Sequence, residues 1–126
     1  MNGWLLAAGI TAFGVAATHL VAGHRDVVRP LLSSGLADEP KRVFHAVWHM
    51  VSVDLVLSAV ALVYLALADD TSATGPVAWF VAAHFLAYTV TFLVITLSVG
   101  WPRPLLRLPQ WILLLPVAVL TAAGAA

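Results

Sequence analysis

Apolar residues fill four long stretches of the chain, at about 3–21, 43–67, 77–99 and 109–125, and the polar residues collect in the short connections between them. Each stretch is too long and too continuously apolar for a barrel strand. A helix over it covers about 25 to 37 Å at 1.5 Å per residue, enough for the hydrocarbon core of a bilayer. Lipid offers backbone amides no solvent partner, so helices satisfy them internally. The pattern predicts an all-α membrane protein, a four-transmembrane-helix bundle of up-down topology forming one domain over residues 1–126.

The connections set the orientation. All six basic residues fall in two of them, Arg25, Arg29, Lys41 and Arg42 in the first and Arg103 and Arg107 in the last, whereas the middle one carries Asp69 and Asp70. Cytoplasmic loops are enriched in Lys and Arg, so the two basic loops are expected in the cytoplasm and both termini outside it. Trp4 and Trp79 then lie near the outer interface and Trp101 and Trp111 near the inner one, as belt residues do. No Lys or Arg precedes the first stretch, which reads as a retained helix, not a signal peptide. Within the first loop, residues at about 26–36 suit a short segment lying on the cytoplasmic surface. Asp38 is the expected N-cap of the second helix, with Pro40 tolerated in its first turn. Pro116 sits inside the fourth stretch, where a bend is expected.

Composition narrows the chemistry. With 62% hydrophobic and 10% charged residues in a chain of 126, there is no room for a soluble catalytic domain. Cysteine is absent, which excludes disulfides, iron–sulfur clusters and thiolate metal sites. A formal net charge of zero gives no reason to expect a nucleic-acid partner. Histidine, carboxylate and hydroxyl groups remain, and inside apolar segments each needs a partner.

His45 and His49 stand one helical turn apart near the start of the second stretch, so both imidazoles can face one object. His19 reaches the same leaflet from the first stretch. The chain is expected to leave the membrane through Gly23 and fold His24 and Asp26 back beneath that mouth. Three or four imidazoles with an optional carboxylate suit Zn, Cu, Ni or Fe, which makes His19, His45 and His49 the core of a candidate metal site, with His24 or Asp26 completing it. A b-type haem held by His19 and one of the pair is the second choice, with Trp48 and Phe44 lining its pocket. The competing reading has the histidines satisfied by water, backbone carbonyls and head groups. His45-x-x-x-His49 is also similar to one histidine box of membrane hydroxylases and desaturases, a class that needs more clustered histidines than the five present here.

A second polar group lies deeper. Asp54 falls about 17 Å from the cytoplasmic boundary and His84 about 22 Å from it on the next helix, close enough in depth to pair. His84, Tyr88, Thr91 and Ser98 form a stripe expected to face neighbouring helices. Asp54, His84 and Tyr88 are therefore a candidate proton relay or static intramembrane polar group, on the opposite face of the second helix from His45 and His49. Small residues at four-residue spacing, Ala83 with Ala87 and Gly14 with Thr18, offer surfaces for close packing.

Three functions compete on these grounds. One is a metal or redox-cofactor protein of the cytoplasmic leaflet. Another is a non-enzymatic subunit or assembly factor of a larger membrane complex. The third is a small homo-oligomeric transporter or channel using Asp54 and His84. The expected setting is the bilayer of a cell membrane, a prokaryotic inner membrane by its compact topology.

Overall fold

The start of the first helix is fastened to the ends of two others by one residue, through its backbone and its side chain, and the arrangement of the chain follows from that junction. A computed structural model describes residues 1–68 and 72–126; the acidic pair Asp69 and Asp70 lies outside the described residues. Asn2 caps helix α1 (Gly3–Thr18), its Oδ1 accepting from the amides of Trp4 and Leu5. Its backbone N–H donates to Ala66 O at 2.8 Å, and its Nδ2 donates to Gly124 O at 2.8 Å. Those carbonyls belong to the last turns of α3 (Asp38–Leu67) and α6 (Gln110–Ala125), so α1 starts where both of these helices end.

From there α1 packs along α3 on one side and α6 on the other, while α4 (Thr74–Ser98) packs on α6. The buried face of α1 is made of Leu5, Ala8, Gly9, Ala12, Val15 and Ala16, mostly small residues that let backbones approach closely. A Cβ on Gly9 would stand 2.7 Å from Val63 Cγ2, and one on Gly124 would stand 2.7 Å from Leu5 Cδ2. Neither position has room for a side chain. α3 and α4, although consecutive in the chain, share only a narrow contact.

All the described secondary structure is helical, and three helices are long and apolar enough to cross a membrane: Gly3–Leu32, Asp38–Leu67 and Thr74–Ser98. α6, at 16 residues with Pro116 inside it, is shorter than the other three.

The first helix does not stop near Val21. It runs on through a π-helical segment (His19–Val28) and a last α-turn, α2 (Arg29–Leu32). Gly23, expected to open the exit, lies inside the helix, where its missing side chain leaves space for Trp48 of α3. Pro30 lies just past the passage from the π-helical segment into α2, and the helix continues through it for a few residues although its ring nitrogen has no hydrogen to donate. The segment at 26–36 is thus largely the end of a long helix and not a separate surface element. Ala37, not Asp38, occupies the N-cap of α3; Asp38 begins the helix and pairs with Arg42 one turn on, at 3.3 Å.

Replacing Asn2 by Ala removes the α1 cap and the side-chain bond to Gly124, a loss of about 2 to 3 kcal/mol. The unfolding midpoint of the detergent-purified protein is expected to fall by several degrees, and Gly9→Leu to lower it further by separating α1 from α3. Unchanged melting of both variants, followed by circular dichroism, would contradict the junction.

Candidate functional site

The polar residues singled out by the sequence resolve into two places on α3. At the nearer end, His45 is half-buried and His49 exposed, one turn apart on the same face. Their Nε2 atoms approach to 3.1 Å and their rings are tilted by 55°, so one nitrogen donates to the other.

His19 does not join them. Its ring lies flat on Trp48, with centroids 3.8 Å apart and planes 12° from parallel, and its Nε2 faces Trp48 O at 3.4 Å. The indole fills the space between α1 and α3 at this level. Its far edge presses on Gly23, where an added Cβ would collide with Trp48 Cη2. A haem needs a wide slot between its axial histidines, and here the slot is occupied by an indole. Phe44 is exposed.

His24 and Asp26 also stay apart from the pair, because the helix that carries them continues and does not fold back. His24 is exposed. Asp26 is held by its neighbour, Arg25 Nε donating to Oδ1 at 2.6 Å and Nη2 to Oδ2 at 3.1 Å. Among the described residues, no three histidine or carboxylate side chains are grouped so as to hold a metal ion. The five-residue ligand set therefore does not assemble. Only the His45 and His49 part of it is brought together.

The deeper group is brought together. Asp54 Oδ2 lies 2.9 Å from His84 Nε2 and 3.1 Å from Tyr88 Oη, so with the carboxylate ionised both side chains donate to the same oxygen. One turn separates His84 from Tyr88 on α4, which places the ring and the hydroxyl on the same side of the helix. Phe80, Phe85 and Tyr88 surround the imidazole, with Tyr88 nearest at a centroid distance of 4.3 Å. Charge-assisted hydrogen bonds of this kind are stronger than those between neutral groups.

This group bridges the narrow α3–α4 contact and is open on one side. The Asp54 and His84 side chains retain 35% and 26% of their accessible surface. The rest of the predicted stripe behaves differently: Thr91 and Ser98 are exposed and donate to carbonyls of their own helix, Ala87 O and Ile95 O. The buried hydroxyls of α4 are instead Thr89 and Thr96. Ala83, Ala87, Gly14 and Thr18 all remain on the outer surface.

Two residues escaped the sequence reading. Asn2 had a legible signal, an Asn directly before an apolar helix, but its bonds to α3 and α6 are tertiary. Gly23 favours a break on local grounds, and nothing local announces that an indole from another helix rests on it.

Gly23→Val is expected to displace Trp48 from the His19 ring and destabilise the protein by about 1 to 3 kcal/mol, the usual range for overpacking. Melting temperature and tryptophan emission report the two effects, and a variant that matches the parent in both would show that the indole is not seated there. No family model, curated protein or solved structure matches this chain.

Proposed function

We propose that the chain is an integral membrane protein of four spans, with its basic connections in the cytoplasm and both termini outside. In this reading it carries protons across the membrane as a small homo-oligomer, through the Asp54, His84 and Tyr88 group. One observation carries it: a carboxylate midway along a long apolar helix, hydrogen-bonded to an imidazole and a phenol, is still about one-third exposed. An ionisable group facing lipid is expensive, so its open side calls for a neighbouring protein surface or a water-filled cavity.

The chemistry follows from the pair. With Asp54 ionised and His84 protonated, the proton lies along the Nε2–Oδ2 line, and transfer to Oδ2 neutralises both groups. A proton delivered from one side to the imidazole can thus be passed to the carboxylate and released on the other. Tyr88 donates to the same oxygen and lowers the cost of the charged state. The narrow contact between α3 and α4 leaves side chains, not packed backbone, to form this part of the seam.

A second reading is kept by His45 and His49. Their two imidazole nitrogens, 3.1 Å apart at the end of α3, can hold a Zn, Cu, Ni or Fe ion as two of its ligands once the hydrogen bond between them is given up, with the remainder supplied by water, a second copy or a partner subunit. A subunit of a larger membrane complex would also satisfy the exposed side of Asp54.

In proteoliposomes under an imposed pH gradient, the parent protein is expected to dissipate the gradient. Asp54→Asn and His84→Ala should each cut the rate about tenfold or more, and Tyr88→Phe by a smaller factor. Equal rates in parent and Asp54→Asn vesicles would overturn the proton-carrying reading. Metal analysis of protein purified without chelator, compared with His45→Ala/His49→Ala, decides the second reading: stoichiometric metal lost in the variant supports it, and a metal-free parent rejects it.

A further inference from the structure

The connection between α4 and α6 builds a basic cleft that the proton-carrying group does not use. After α4 the chain turns through Gly100 at φ 72°, and Arg103 adopts φ 54° and ψ 56°, a left-handed conformation costly for a residue with a Cβ. Prolines flank it on both sides. They fix their own φ angles and stiffen the chain on either side of Arg103. The four-residue helix α5 (Pro104–Arg107) follows, and a cleft of about 570 Å³ is lined by Pro102, Arg103, Leu106 and Arg107.

Two features of these arginines bear on what they could bind. Arg25 and Arg42 each engage a carboxylate, Asp26 at 2.6 Å and Asp38 at 3.3 Å. Among the described residues, neither Arg103 nor Arg107 meets one. Instead the Arg107 guanidinium lies over Trp101, with Cζ 5.8 Å from the ring centroid, a contact that orients it and leaves its donors available. The second feature is the apolar surface beside the charges. Leu106, in the cleft, is 69% exposed, and Leu105 is exposed next to it. Trp111 donates from Nε1 to Leu105 O at 3.1 Å and ties the short helix to the start of α6.

From this geometry we infer that Arg103 and Arg107 bind the phosphate of an anionic phospholipid, while Leu105 and Leu106 enter the apolar layer beneath the head group. Guanidinium groups suit phosphate oxygens because their donors are paired and planar. Two basic residues at a membrane surface favour anionic over zwitterionic lipid. The adjoining leucines distinguish a lipid from a free phosphate ion, since only the lipid has acyl chains to meet them. This inference rests on the membrane reading above, but it is independent of proton transfer.

The test is native mass spectrometry of the full chain from mild detergent, after confirming that it partitions into the membrane fraction. Phosphatidylglycerol, phosphatidylcholine and inorganic phosphate are added separately. The parent is expected to retain phosphatidylglycerol about tenfold better than phosphatidylcholine. Arg103→Gln/Arg107→Gln should abolish that preference, and Arg103→Lys/Arg107→Lys should keep part of it. Arg25→Gln/Arg42→Gln should leave it unchanged. Circular dichroism and retained oligomeric mass verify that each variant folds. Equal retention of the two lipids by the parent overturns the inference, as does undiminished preference in the Arg103→Gln/Arg107→Gln protein. Binding of inorganic phosphate without a preference for phosphatidylglycerol also overturns it, by showing an anion site with no lipid specificity.

Discussion

Close approach between α1 and its two neighbours is the contact on which the rest of the chain depends. In a bilayer the hydrophobic effect does little to join helices, because lipid tails are as apolar as the side chains they replace. Association then depends on dispersion between well-fitted surfaces and on interhelical hydrogen bonds. This chain uses both at α1. Ala8, Gly9, Ala12 and Ala16 give it a narrow buried face, and Asn2 adds a hydrogen-bonded clamp to Ala66 and Gly124 at one end. The other helices are placed relative to α1 and α6. What is left over, the contact between α3 and α4, is narrow for that reason.

Much of this architecture is legible from the order of apolar and polar residues, because the bilayer rule is local: a long apolar run must be a helix. Helix starts and ends of α3 and α4 fall within a few residues of the predicted runs once α3 is allowed its polar first turn. The first helix departs from its predicted end because a tertiary contact decides it. Gly23 ordinarily favours a break, yet the Trp48 indole rests against it and gives the continued helix a packed surface. No property of residues 19–28 alone contains that information.

The same distinction separates the two polar groups. Depth along antiparallel helices can be counted, and the counting puts Asp54 beside His84, whose side chains are in contact. The histidine cluster required more than depth. It needed His19 to turn toward α3 without anything between, and it needed the chain to reverse after Gly23. Trp48 occupies the first space, and the continued helix removes the reversal. The sequence allows Trp48 either to pack against lipid or to line a cofactor pocket, whereas its volume is what keeps His19 from the His45 and His49 pair.

The two faces of α3 now have different physical demands. His45 and His49 lie near a helix end, where water and head groups can satisfy them, so their exposure requires no further protein. Asp54 lies sixteen positions past Asp38, the first residue of the helix, among Val53, Leu55 and Leu57, and would have no such supply of water in a bilayer. His84 and Tyr88 satisfy one oxygen of its carboxylate. The remaining exposure cannot be relieved by closing α3 onto α4, because α1 and α6 already hold those helices by their other faces. In the proposed reading, relief comes from a second copy, another subunit or a water-filled cavity, and whatever completes the hydrogen bonding of Asp54 also defines the path by which a proton reaches it.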